Sequence, residues 1–377
     1  MKSLTTYITL LLFAIVTCLT SCVREDDEPT LPKNPISRLY ISFSEFQLDE
    51  ARPPYKNLDI IDPADSLKFF QTALSYDSGI KGGAGISFNP IAKFIFQSSA
   101  NGNNNSIRDT SIQVMSVDPK TGQPASKGVI SSGVLTNVKG LAYHHNRGTE
   151  NLYVSNIGDG SRPSYIYLFQ NPGNYRGKAT RKQQIALGEL TPWTISFTST
   201  EQTADLLMSV TGEKKGIAIF SGILNKNPAV DSLLDEKTFP PKAVLTILNQ
   251  GEIRGFSYSV KQDLIAIACY KETTGQPNVG KILLFEEASK LLASSGERAI
   301  EPTRVITGAL TGLKKPLDVA IDNRDGAKYL YVADSETKSV SRFLITDKDN
   351  VEPNEKKQFT LTPVALSLDA RGPSEID

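Results

Sequence analysis

The chain has only two histidines, three cysteines and a single tryptophan in 377 residues, and each scarcity removes a class of chemistry. His144 and His145 are adjacent, so on a strand they face opposite ways, and no HExxH zinc site exists. Gly-x-Ser-x-Gly, a Walker phosphate loop and CxxC pairs are also missing, which takes away the common hydrolase, nucleotide and redox motifs. Lys+Arg and Asp+Glu stand at 41 each, so no global field favours nucleic acid or an acidic polymer. Apart from the first twenty-odd residues, no run is apolar enough to span a bilayer.

Those first residues have three parts: a basic start at Lys2, an apolar run from Tyr7 to Leu19, then Leu19-Thr20-Ser21-Cys22. The order is that of a secretory signal, and the run is shorter than the roughly 20 residues a membrane helix needs. The tetrapeptide resembles the bacterial lipobox, which implies thioether lipidation of Cys22 and cleavage before it. The alternative is an ordinary signal peptide carrying an incidental cysteine. Residues 1–21 are then a signal peptide, 22–35 a polar, proline-punctuated acidic tether, and 36–377 the folded domain. The acidic residues behind Cys22 resemble the export signal of surface lipoproteins in Bacteroidetes-type bacteria, with a solvated spacer as the plainer alternative. The expectation is an outer-membrane lipoprotein facing the periplasm or the cell surface, its membrane contact made through Cys22.

With Cys18 removed and Cys22 acylated, Cys269 is the one cysteine left, so the mature chain has no internal disulfide and must rely on a large core. At the end of an apolar strand, Cys269 reads as a small buried hydrophobe.

Helical periodicity is nearly absent, and its best candidate, Glu286 to Ser295, amounts to one or two exposed turns. Short β-branched runs bounded by Gly, Pro, Asn and Asp fill the rest, which is an all-β pattern. One unit recurs. It is clearest as Pro316-Leu-Asp-Val-Ala-Ile-Asp, Tyr329-Leu-Tyr-Val-Ala-Asp and Ser339-Val-Ser-Arg-Phe-Leu-Ile, a piece that resembles an NHL-type propeller repeat. Copies start at Ala84, Val138, Pro192 and Ile253. A sixth is split: Pro363-Val-Ala-Leu-Ser-Leu-Asp is an inner strand with nothing after it, and Arg38-Leu-Tyr-Ile-Ser-Phe-Ser is a second strand with nothing before it. Asn57-Leu-Asp-Ile-Ile and Leu67-Lys-Phe-Phe-Gln would be its outer strands.

Inner strands near 85, 140, 194, 255, 318 and 365 recur every ~47 to 63 residues, one four-stranded blade each. A six-bladed β-propeller follows, closed by N- and C-terminal strands in one blade. The rival is seven blades, with one hidden between Thr180 and Thr191 or between Ser221 and Gly251.

In a propeller the innermost strands line an axial channel. The residues leading the six inner strands are Ala84, Lys139, Trp193, Arg254, Leu317 and Val364, followed by Gly85, Gly140, Thr194, Gly255, Asp318 and Ala365. Lys139, Trp193, Arg254 and Asp318 are the candidate ligand-binding residues: the indole suits sugars or planar ligands, and the cations suit carboxylate or phosphate. The competing reading packs Trp193 between blades and leaves the cations solvated or paired with Asp318.

Asn156, Asp159, Asp334, Ser335 and Glu336 form an oxygen-rich set at the ends of second strands, weak candidates for Ca²⁺. A histidine near the channel is a conceivable base. Six-bladed propellers of the NHL, lactonase and gluconolactonase-like kind imply an axial Ca²⁺ held by acidic and amide side chains. Here only Asp318 stands at such a position, with Lys139 and Arg254 at matching ones. The expectation is therefore a binding or scaffolding module for a glycan, peptide or partner protein, not one for nucleic acid, with a metal-dependent lactonase or esterase as the alternative.

Overall fold

The computed structural model describes residues 35–66, 74–100, 108–235, 237–272, 274 and 278–375. Within them, six small antiparallel sheets follow one another around a ring, as the repeat predicts. Blades 2 to 6 begin with inner strands Gly83–Asn89, Asn137–Asn146, Thr191–Phe197, Glu252–Ser259 and Pro316–Ile321, each paired to the next strand in sequence.

Blade 1 is the split one. Its inner strand Pro363–Arg371 pairs antiparallel with Ile36–Phe43, from Ile36 opposite Arg371 to Phe43 opposite Pro363, and Leu58–Ile61 and Leu74–Tyr76 complete it. The expected strand at Leu67 to Gln71 lies outside the described residues, as do the signal peptide, Cys22 and all of the tether but Pro35.

No seventh blade occurs among the described residues. Of the two stretches considered for one, Gln183–Ala186 is the fourth strand of blade 3, and Ala243–Ile247 is the fourth strand of blade 4. A long detour precedes the fourth strand of blades 3, 4 and 5, so the repeat shows there as three strands. In blades 3, 4 and 5 the link between third and fourth strands reaches back to the preceding blade and adds a parallel fifth strand there: Arg176–Lys178, Leu233–Leu234 and Gly296–Ile300. In blade 6 the device shrinks to one bridge, Asp349 to Ile306. These additions cover outer edges that would otherwise present free N–H and C=O groups. The turns expected at Glu286 to Ser295 contain a short helix, Ala288–Leu292, whose end residues Ala288 and Leu292 are buried, not exposed.

The apolar core is divided into six wedges, one between each pair of adjacent blades. Because a blade is covered on both faces, its middle strands are apolar at successive positions, as in Leu330, Tyr331, Val332 and Ala333. Alternation then distributes them: Leu39, Ile41 and Phe43 pack toward blade 6, and Tyr40 packs toward blade 2. The two chain ends thus complete two wedges at once.

Candidate functional site

The positions singled out at the head of each inner strand share a backbone feature that the sequence did not disclose. Every inner strand carries a β-bulge there. The register slips across Ala84–Gly85, Lys139, Trp193–Thr194, Arg254–Gly255, Leu317 and Val364. A bulge places an extra residue opposite its partner and re-aims the side chain. It also takes an N–H out of the ladder, and second-strand serines supply an acceptor: Ser98 Oγ accepts from Gly85 N at 2.9 Å, and Ser209 Oγ from Thr194 N at 3.0 Å.

Lys139, Trp193 and Arg254 meet at this face. The Lys139 ammonium lies 4.9 Å from the centre of the Trp193 ring, and the Arg254 guanidinium 4.6 Å from it. The arc continues: Arg254 is 5.1 Å and Lys315 4.9 Å from the Tyr270 ring. Three cations and two aromatic rings therefore alternate across blades 3 to 6, each contact attractive through the ring quadrupole.

Their partners differ. Arg254 donates to Thr211 Oγ1, to the Tyr270 hydroxyl at 2.8 Å and to Glu252 Oε2 at 3.3 Å, and Lys315 pairs with Glu272 at 3.0 Å. Lys139 has no ion-pair partner among the described residues. Burial, with Arg254 nearby, pushes its ammonium down to about 8.

Asp318 does not neutralise these cations, which corrects the pairing considered above. Its Oδ2 accepts Leu366 N–H at 2.8 Å and its Oδ1 accepts Val319 N–H at 3.0 Å. It is 7% exposed, and burial pushes the carboxyl up to about 7, the two N–H groups opposing that shift. The carboxylate occupies the position that Gly85, Gly140 and Gly255 hold elsewhere. A Cβ on Gly255 would lie 2.0 Å from Asp318 Oδ1, so the glycine makes room for the acid of the next blade.

An axial cavity of about 520 Å³ opens here, walled by residues of all six inner strands. Lys139, Trp193 and Asp318 line it; Arg254 stands behind Trp193 and does not. Sequence reasoning stopped at the first two rows of the channel. Further in lie a row of small residues, Ser87, Ala142, Ser196, Ser257, Ala320 and Ser367, and then Phe88, Tyr143, Phe197, Tyr258, Ile321 and Leu368. Aligning the six copies from the bulge onward exposes both rows in sequence. Two of the hydroxyls stitch blades together, Ser367 Oγ accepting from Phe88 N and Ser257 Oγ from Ile321 N.

The oxygen-rich set proves to be loop scaffolding. Asn156 Oδ1 accepts from Thr136 N and Asn137 N, and at the matching place in blade 6 the Asp334 carboxylate accepts from Lys314, Lys315, Glu336 and Thr337 N–H groups. Asp159 clamps Arg162 and Ser161, while Ser335 Oγ bonds Lys315 O and Glu336 lies 3.8 Å from Lys314. Oxygens held this way point at backbone N–H groups and cations, so they do not fit Ca²⁺. No group of three or more His, Cys, Asp or Glu among the described residues forms a metal cluster.

His144 and His145 do face opposite ways, His144 buried against Phe197 and His145 exposed. Burial lowers the pKa of His144, its Nε2 lies 3.2 Å from Glu201 O, and neither histidine lines the axial cavity. Cys269 is fully buried, its thiol pushed up to about 12 by burial.

No family model matches the chain, and no curated protein matches it. Among solved structures it is similar in fold to the periplasmic gluconolactonase of Pseudomonas aeruginosa, at 10% identity and a TM-score of 0.53, over 89% of this chain and 100% of that one. A candidate 6-phosphogluconolactonase from Bacteroides fragilis matches at 12% identity and a TM-score of 0.46, over 91% and 100% respectively. At such identity the likeness is one of fold alone: the chain is an all-β, six-bladed propeller.

Proposed function

We propose that this chain is a lipid-anchored propeller of the bacterial cell envelope, held at the outer membrane through Cys22, and that it binds a glycan, peptide or partner protein at the face carrying the six bulges. One observation carries the binding reading: Lys139, a cation without an anionic partner among the described residues, sits partly exposed over an indole at the mouth of the axial cavity. An uncompensated charge in such a place opposes folding, and an anionic group on a ligand would relieve it.

The topology supports the orientation. Ile36 pairs with Arg371 at the trailing end of an inner strand, whereas the bulges mark the leading ends, so the chain enters the domain on the face opposite Lys139. A tether from Cys22 would then join the domain on the face opposite the bulges, which keeps the binding face free of the attachment point.

The test has two arms. Cys22→Ser should move the protein from the membrane to the soluble fraction; retention in the membrane would sink the anchor. Trp193→Ala with Arg254→Ala should abolish capture of envelope glycans or partner proteins while thermal stability stays nearly intact. Loss of folding instead would assign both residues to the core.

A second reading, a metal-dependent hydrolase of lactone or ester bonds, draws on the fold shared with a gluconolactonase and on Asp318, a carboxyl on the cavity wall that burial pushes up to about 7. The metal part fits these residues poorly, since both Asp318 oxygens already accept N–H groups. Elemental analysis separates the readings: one tightly held Ca²⁺ per chain would favour hydrolysis, and metal-free protein would count against it.

A further inference from the structure

The walls of the axial cavity change character along its axis, and that change limits what fits inside. At the mouth stand Lys139 and Trp193; the neighbouring cations are already answered, Arg254 by Glu252 and Lys315 by Glu272. Further in stand four serines and two alanines, and two of the hydroxyls, Ser257 and Ser367, already accept backbone N–H groups from the next blade. Farther along, Phe88, Phe197 and Tyr258 line the cavity, each partly exposed and packed against the wedge beside it, and beyond them Asn89, Ser199, Thr200 and Asn323 line its other end.

From the bulge row to this aromatic row is four residues along a strand, or roughly 13 Å at the usual rise. The volume of about 520 Å³ lies within the range of small-ligand sites, roughly 300 to 1,000 Å³. At the level of the aromatic row, a fully hydroxylated sugar would set hydroxyls against Phe88 and Phe197, which offer no hydrogen bond. A dianion would find a single cation, Lys139, among the described residues that line the cavity. An apolar body with a single negative end matches both levels.

We propose that the axial cavity takes one small amphipathic monoanion, an aryl or acyl carboxylate, with its carboxylate on Lys139 beside Trp193 and its apolar body against Phe88, Phe197 and Tyr258. The proposal rests on the reading of the bulge face as a binding face and assigns the cavity behind it a small-molecule ligand, distinct from the glycan, peptide or partner protein proposed for the face itself.

Trp193 is the single tryptophan of the chain, so its fluorescence reports the site directly. The full chain, purified in amphipol, is titrated with naphthalene-2-carboxylate, with its neutral amide and with gluconate, a monoanion lacking the apolar body. The carboxylate should change Trp193 fluorescence saturably. The amide should bind at least tenfold more weakly to the unaltered protein, and gluconate should not displace the carboxylate. Lys139→Met should weaken the carboxylate at least tenfold and leave the amide unchanged. Equal binding of amide and carboxylate, or displacement by equimolar gluconate, overturns the proposal. If naphthalene-2-carboxylate has no effect while a glycan or protein alters Trp193 fluorescence, the ligand class is wrong and the binding face stands. If, in addition, the Trp193 and Arg254 double variant captures its partner normally, the binding face itself is wrong.

Discussion

Asp318 on the inner strand of blade 6 accepts the backbone N–H of Leu366, on the C-terminal strand that closes blade 1, at 2.8 Å. A buried acid thus ties the closing strand to the adjacent blade, and it does so without an ion-pair partner among the described residues.

That arrangement makes closure sensitive to pH. The Asp318 carboxyl is raised from its unfolded value near 4 to about 7 by burial. A raised acid contributes stability that is full below the unfolded value and is lost as pH climbs through the folded one. The difference of about three units corresponds to ~4 kcal/mol at most by pH 8. Chemical denaturation of the wild-type protein should therefore show a lower midpoint at pH 8 than at pH 5, and Asp318→Asn should flatten that slope. An unchanged slope in the variant would mean that other groups set it.

Lys139 has the opposite sign. Its folded value of about 8 lies below the unfolded one near 10.4, so its contribution is full above the latter and lost as pH falls through the former. At neutral pH the ammonium opposes folding. Lys139→Met should stabilise the protein by about 1 kcal/mol after solvent screening of this partly exposed group, as read from urea midpoints at pH 7. A variant less stable than wild type would give the lysine a structural role.

Gly140 follows the Lys139 bulge, and a Cβ there would lie 2.6 Å from both Trp193 O and Ile195 N, backbone atoms of the next blade that cannot swing aside. Gly140→Ala should cost about 1 to 3 kcal/mol, the usual penalty of overpacking. It should also displace Trp193, visible as a shifted emission maximum. A variant with wild-type stability and emission would show that blades 3 and 4 can separate without consequence.

Removing residues 363–377 takes away the inner strand of blade 1 and uncovers Leu39, Tyr40 and Ile41, all fully buried in the intact ring. Cooperative melting should disappear in a calorimetric scan. Removing only 372–377, beyond the closing strand, should leave the transition in place. A sharp transition in the longer deletion would mean that the ring does not need its seam.

Much of the architecture was legible in the linear pattern, because a blade covered on both faces must repeat its apolar strands and a ring must borrow a strand from each end. Leu330 to Ala333 and Arg38 to Phe43 carry that message openly, and aligning the copies brings out the leading positions Lys139, Trp193 and Arg254 with Asp318 in the row behind them. What the copies do not encode is which neighbour each side chain meets. Lys139 and Arg254 occupy equivalent places, yet Arg254 finds Glu252, Thr211 and Tyr270 while Lys139 finds an indole and no ion-pair partner among the described residues. Asp334 and Asn156 looked like free oxygen donors until the loops beside them delivered their N–H groups. The strand pattern is set by local alternation, which a sequence displays residue by residue. Partnership across the ring depends on the bulges and on distances between segments far apart in the chain, and those exist only once the circle is closed.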